Sequence, residues 1–297
     1  MSGAVAGGGR GGHNVTGLCR SPTRRVLIVS VGPPSDDSTP PINTTVPHSA
    51  RIWNYWLGGK DNYAVDRAAG DEYMKVFPGV VQMARASRGF LTRAVRYLAG
   101  EAEIRQFLDV GTGLPTVDNT HQIAQRVAPT SRVVYVDNDP LVLVHARALL
   151  TGSPKGATDY IDADLHQPEH ILDAAAKTLD FDQPVALILS GILGHVPDLG
   201  EARDIVSRLM AGLPSGSYLS INDGTQVVGG EALAEAQQDY NDTGAVPYQL
   251  RTPEEIASFF AGLELIEPGI VSCPRWRPDP GEEPFDVDAF GGVGRKP

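Results

Sequence analysis

Apolar positions along the chain change their period. Between Pro47 and about Gly100 they recur at helical spacing, with Leu91, Val95 and Leu98 at i, i+4 and i+7 on one face. Pro78-Gly79 breaks this region into two helical parts. From Arg105 the apolar runs become short and nearly continuous. RQFLDV (105–110), RVVYVDND (132–139), DYIDAD (159–164), PVALILSG (184–191) and SYLSINDG (217–224) are five such runs. Runs this short and rich in β-branched residues suit strands covered on both faces. Helical stretches with start signals lie between them. Asp139-Pro140 places an N-cap before a proline at the first helical position. Asp198 with Glu201, and Thr252 with Glu255, have capping-box spacing. This alternation predicts an α/β fold, one open parallel sheet with helices on both sides.

The last stretch departs from it. LELIEPGIVSC (263–273) and FDVDAFGGVG (285–294) read as two strands with no room for a helix between them, so they pair antiparallel. A parallel core finished by an antiparallel hairpin is the plan of the Rossmann-like class I methyltransferase sheet. A dinucleotide domain more often adds another parallel strand. Residues 1–45 are rich in Gly, Pro, Ser and Thr and are expected to be a disordered leader. The expected division is a leader (1–45), an N-terminal helical extension or lid (46–103) and the sheet core (104–297).

Composition narrows the function classes. With 297 residues, 41% hydrophobic and 21% charged, the chain can bury a sizeable core. A net charge of −11 argues against a broad nucleic-acid footprint. Arg85, Arg88, Arg93 and Arg96 read as a solvated helix face. Cys19 and Cys273 cannot build a disulfide framework or a cysteine zinc site, and their scarcity fits a reducing cytoplasm. No apolar run approaches the ~18 residues of a membrane helix. TRRVLIVSVG (23–32) superficially resembles an export signal, but it is short and runs into Pro33-Pro34 without a cleavage site.

Ligands of open α/β sheets bind beyond the carboxyl ends of strands. After the first run, LDVGTGLPT supplies Asp109, Gly111, Thr112 and Gly113. The two glycines permit a tight turn and close approach of backbone to a ligand, although a glycine pair is also an ordinary turn. A dinucleotide motif needs a third glycine where this chain has Thr116, preceded by Pro115, which weakens an NAD reading. Asp137 ends the second run 26 residues after Gly111, and Asn138 follows it. A carboxylate there can accept both hydroxyls of a ribose. After the third run, Asp164 can accept an adenine amino group while Leu165 covers the ring; Asp162 and Asp164 also read as solvated turn acids. After the fourth, SGILGHVPD offers Ser190 and His195. His195 is either a general base or a loop histidine bonded to backbone.

The segment NYWLGGKDNYAVD (54–66) is not a phosphate loop. It lacks the first glycine, carries Asp61 after the lysine and follows no strand.

Together with FLDVGTGLPT, VVYVDNDP, PVALILSGILGHVPD, EEIASFFAGLELIEPGIVSCPRWRPD and FGGVGRKP, the segment IWNYWLGGKDNYAVD resembles the S-adenosyl methyltransferase family once catalogued only as a domain of unknown function. The resemblance runs from about Pro47 to the end. It implies a class I methyltransferase fold, S-adenosylmethionine as cofactor and an acceptor it does not specify, expected to be a small molecule. It also suggests N-terminal helices folded over the cofactor mouth. Lys60 and Asn62 would then donate to the methionyl carboxylate, and Tyr55 and Tyr63 would line the acceptor site on a lid hinged at Gly58-Gly59. His195 or Tyr63 would take the acceptor's proton. The same stretch also reads as a helix C-cap and turn, with Trp53 and Trp56 in the core. Similar sequences carry a histidine where this chain has Gly194, which favours a second reading, a non-catalytic sensor or partner-binding protein that keeps the pocket. An NAD-dependent oxidoreductase shares the sheet and Asp137, but Pro115, Thr116 and the terminal hairpin oppose it.

Overall fold

The computed structural model describes residues 42–115, 118–149 and 153–297. Nearly all of the expected leader, Cys19, the 23–32 segment and Thr116 lie outside the described residues. Three helices come first: α1 (Ser49–Trp56), α2 (Ala64–Val76) and α3 (Val80–Gly100), the last two parted at Pro78-Gly79. β1 (Gln106–Val110), α4 (Thr120–Val127), β2 (Arg132–Asp137), α5 (Pro140–Leu149), β3 (Ala157–Asp162), α6 (Pro168–Ala175) and β4 (Ala186–Ser190) follow. Next are α7 (Leu199–Ala211), β5 (Tyr218–Gly224), α8 (Gly230–Asn241) and α9 (Pro253–Ser258). The chain ends with β6 (Glu264–Leu265), β7 (Val271–Ser272) and β8 (Ala289–Arg295).

The strand order is β3-β2-β1-β4-β5-β8-β6, with β7 also on β8. β1 to β5 pair in parallel, and β8 enters antiparallel to β5. β6 and β7 both run antiparallel to β8, as two pieces of one edge interrupted by a turn in which Gly269 N–H donates to Ile266 O. This is the Rossmann-like class I methyltransferase sheet, a parallel core closed by a C-terminal antiparallel pair.

Alternation within the buried strands decides which side chains meet which helices. Phe107, Val133, Ile188 and Tyr218 pack in one core with residues of α1, α2, α3, α4 and α8. Their neighbours Leu108, Val134, Leu189 and Leu219 pack in the other with α6, α7 and α9. Each such side chain contributes about 1.5–3 kcal/mol by burial. The caps form as expected: Asp139 Oδ1 accepts from Leu141 N–H at 2.8 Å and Asp198 Oδ1 from Glu201 N–H at 2.7 Å. Thr252 and Glu255 cap each other.

Several strand boundaries and one helix face differ from expectation, and the run 263–273 forms the two short strands β6 and β7. β3 begins at Ala157 rather than Asp159, and its acid-rich end leaves the ladder where Asp164 turns to accept from His166 N–H. β8 begins at Ala289, because Asp288 is withdrawn to accept from the N–H groups of Val228 and Gly229. The arginines of α3 are not a common solvated face. Only Arg85 is simply exposed. Arg93 donates to the carbonyls of Trp276 and Cys273, Arg96 pairs with Asp279, and Arg88 turns inward. The reason is the C-terminal segment, whose fully buried Trp276 packs on Phe90 and Tyr97 and brings acceptors to that face.

Arg51 and Asp66 form a buried pair at 3.0 Å, 3% and 0% exposed. Asp66 also accepts from the N–H groups of His48 and Tyr63, and Arg51 donates to the carbonyls of Asn43 and Val46. One ion pair thus fixes the segment before α1, α1 itself and the start of α2. Among the described residues no helix is long and apolar enough to cross a membrane. Asp66→Ala leaves Arg51 buried without its counter-charge and is expected to cost about 3–5 kcal/mol in urea unfolding. A loss below about 1 kcal/mol would show that the pair does not anchor the segment.

Candidate active site

The chain reverses direction across the sheet between β1 and β4, which are neighbours, and a crevice opens beyond their carboxyl ends. A cavity of about 410 Å³ lies there. The loops after β1, β2, β3 and β4 form its floor, and α1 and α3 contribute its cover.

The floor is set by the β1 loop. Gly111 has φ +74°, and a Cβ there would come within 2.4 Å of Ile192 in the β4 loop. Only glycine lets the two loops approach this closely. Gly113 N–H donates to Asp137 Oδ2 at 2.8 Å, and Asp139 N–H to Asp137 Oδ1 at 3.0 Å. These two bonds hold the Asp137 carboxylate rigidly at the end of β2. Burial pushes its pKa up, and the two N–H groups oppose that. Each carboxylate oxygen has further lone-pair capacity, so the group can also accept from a vicinal diol. Asp109 lies at the end of β1, where its Oδ2 accepts from Thr120 Oγ1 at 2.6 Å. Burial raises it to about 6, against the pull of Thr120 and Arg88.

Asp109, Gly111, Thr112, Gly113, Asp137, Asn138, Asp164, Leu165, Ser190 and His195 all line this cavity. Asp164 is partly engaged, since its Oδ1 accepts from His166 N–H and meets the His166 ring at 2.6 Å. Lys60, Asn62 and Tyr63 are not among the lining residues. Lys60 is exposed. The Asn62 amide donates to Asn54 Oδ1 and Gly59 O, and its Oδ1 accepts from Arg67. Tyr63 packs with Leu114, Leu141 and Val142 beside the Arg51 guanidinium. The 58–63 stretch is a helix C-cap and turn: Gly58, at φ +82°, donates to Tyr55 O, and Trp56 packs on Trp53 and Tyr73. The cover comes instead from α1 and the residues before it, through His48, Ser49, Trp53 and Asn54.

A smaller cavity of about 40 Å³ adjoins the first and shares Ser49, Trp53, Ser87, Gly191 and His195 with it. His195 therefore stands at the junction. Its Nδ1 lies 2.9 Å from the Pro247 carbonyl. A carbonyl only accepts, so Nδ1 carries the proton and Nε2 keeps a lone pair. Burial lowers the His195 pKa, so the ring is neutral at pH 7. Tyr248 packs edge-on against His195 at 5.0 Å and donates to Asp223 Oδ1 at 2.6 Å. Its ring fills the space beside Gly194, where a Cβ would come within 2.3 Å of it. Gly194 is thus the residue Tyr248 requires, and a histidine there has no room.

Sequence reasoning missed Arg88, Asn222, Asp223 and Tyr248. Asn222 and Asp223 carried a usable signal, polar residues at the carboxyl end of β5, the same rule that picked out Asp137. Arg88 was hidden among exposed helical arginines. Tyr248 lies in a loop with no motif of its own.

Residues 35–297 match the S-adenosyl methyltransferase family. The chain belongs to that family. It is 47% identical to a DUF574 family protein from Streptomyces avermitilis, with a TM-score of 0.83, covering 86% of this chain and all of that one (100%). It is 39% identical to a candidate methyltransferase from Thermobifida fusca, with a TM-score of 0.79, covering 90% of this chain and 99% of that one. No curated protein matches the chain. The family protein is an S-adenosylmethionine-dependent methyltransferase, and the cavity fits that cofactor. The Gly111 turn leaves backbone open to it, Asp137 suits its ribose, and Leu165 offers an apolar surface to its base.

Asp137→Ala is expected to weaken S-adenosylhomocysteine binding by roughly 2–4 kcal/mol, about 30- to 1000-fold by calorimetry. Unchanged affinity would remove Asp137 from the site. Gly194→Ala is expected to cost about 1–3 kcal/mol of stability by overpacking, and most of that should return when Tyr248 is also changed to Ala. Independent, additive losses in urea unfolding would show that the two residues do not compete for space.

Proposed function

We propose that this methyltransferase acts on a small molecule whose reactive group sits in the smaller cavity, with His195 taking the acceptor's proton. The observation that carries this reading is the His195 ring, neutral and with Nε2 free to accept, at the place where the two cavities join. S-adenosylmethionine supplies a methyl group on a sulfonium and leaves as a neutral thioether. What remains to the protein is to hold donor and acceptor in line and to accept one proton. Asp137 with Asn138 would hold the ribose, Asp164 and Leu165 the adenine, and Asp109, Gly111, Thr112, Gly113 and Ser190 the chain between base and sulfur.

The methionyl carboxylate is assigned to Arg88 in place of Lys60 and Asn62. Arg88 lines the cofactor cavity beside Asp109, and its guanidinium is desolvated there. Tyr63 is assigned a packing role under the β1 loop. The α1–α3 segment serves as a fixed cover over both cavities. The size of the cavities and the net charge of −11 support a small-molecule acceptor over nucleic acid. The buried free thiol of Cys273 supports a cytoplasmic location.

The test is a panel of small amines, phenols and alcohols scored by S-adenosylhomocysteine release. His195→Gln is expected to lower kcat about 10²- to 10⁴-fold and leave S-adenosylhomocysteine affinity within about twofold. The acidic limb of the wild-type rate profile should lie below pH ~6.5, because burial and nearby His48 favour the neutral ring. Activity falls as pH drops through that limb and is flat above it. A variant with the wild-type rate and limb would remove His195 as base. Methylation confined to proteins or nucleic acids would overturn the small-molecule reading.

A further inference from the structure

The smaller cavity is uneven in what it offers a ligand. Most of its side-chain donors already have partners within the protein. The Tyr73 hydroxyl donates to Gln237 Oε1 at 3.1 Å, Tyr240 to the Val246 carbonyl at 3.4 Å and Tyr248 to Asp223 Oδ1 at 2.6 Å. The Gln237 amide donates to Asn241 Oδ1 at 3.0 Å and the Asn222 amide to Ser87 Oγ at 2.6 Å. What remains is acceptor capacity. Asp223 is 1% exposed, and its Oδ2 has no hydrogen-bond partner of good geometry, although the Gly194 N–H faces the carboxylate. His195 Nε2 presents a lone pair at the junction.

Charge points the same way. Among the described residues, no lysine or arginine lines this cavity. Arg251 acts on Asp223 electrostatically, but its guanidinium is held by the Leu193 and Val196 carbonyls. The negative charge of Asp288 bears on Tyr73. Along the wall, Trp53, Trp56, Tyr73 and Tyr240 form a chain of edge-on and tilted rings with centroids 5.1 to 6.3 Å apart. Aromatic rings attract cations, and most strongly where water is excluded.

We propose that this cavity selects an acceptor bearing a protonated amine, with Asp223 as its counter-charge. The proposal rests on the methyl-transfer reading above. An ammonium brings several N–H donors to a site that offers acceptors and rings. A carboxylate or phosphate finds no cationic partner in this lining and meets the buried Asp223 carboxylate. The bound ammonium sheds one proton to His195 Nε2, leaving a neutral amine whose lone pair can take the methyl group and an imidazolium packed against the Tyr248 ring.

The test uses 2-phenylethylamine, 2-phenylethanol and phenylacetate, three probes of one shape with different heads. Each is titrated calorimetrically into the full chain, with and without saturating S-adenosylhomocysteine. The amine should bind at least about tenfold tighter than the alcohol, and phenylacetate more weakly than either. Asp223→Asn keeps an acceptor for Tyr248 but loses the charge. It should bring amine and alcohol within about threefold while leaving S-adenosylhomocysteine affinity unchanged. An alcohol that binds as tightly as the amine, a preference that survives Asp223→Asn, or no binding by any probe overturns the proposal. The wild-type series decides the matter even if the variant does not fold. Loss of S-adenosylhomocysteine binding alone would sink the cofactor site and leave the amine preference readable.

Discussion

Parallel strands deliver all their carboxyl ends to one edge of a sheet, and the path of this chain keeps that edge open between β1 and β4. β2 and β3 stack to one side of β1, and β4 and β5 to the other. The loops that leave β1 and β4 therefore diverge, except where Gly111 and Ile192 touch. Asp109, Asp137, Asp164 and Ser190 share one cavity because each ends or closely follows one of these strands. The antiparallel β8 lengthens the sheet beyond β5 without covering that edge.

The crevice is also lined from above by α1 and α3. The α1 helix is too short at eight residues (Ser49–Trp56) to be stable alone. It is held by the Arg51–Asp66 pair and by Trp56 packed on Tyr73. On the opposite side, the loop carrying Tyr248 is tied to β5 through Asp223 and Gly224 N–H. Stability and chemistry are joined there. The contact that makes Gly194 obligatory also packs a ring against His195, and the Pro247 carbonyl next to Tyr248 sets the His195 tautomer.

The sheet was legible because its signals are local. Five short apolar runs, Asp139-Pro140 and the Thr252–Glu255 box are each readable within a few residues. The lining of the larger cavity was legible for the same reason, since acids and glycines at strand ends follow from the topology of any open α/β sheet. The cover and the smaller cavity were not. Lys60 and Asn62 have suitable chemistry, but Gly58 turns the chain so that Lys60 faces solvent and Asn62 is consumed by Asn54. Arg88 resembles Arg85 in sequence and differs only in facing the cavity. Tyr248 reaches Asp223 across 25 residues, and Tyr73 reaches Gln237 across 164. Gly194 alone suggested a lost side chain, and only the Tyr248 ring shows why a glycine stands there.

The most direct measurement is a crystal structure of the protein with S-adenosylhomocysteine. If the two cavities meet at His195 as described, the ribose hydroxyls will lie on Asp137, the adenine on Leu165 and the sulfur beside Gly191, open toward Asp223 and the aromatic wall. A nucleoside bound away from Asp137, or a sulfur lying on the β3 side and remote from His195, would contradict the arrangement.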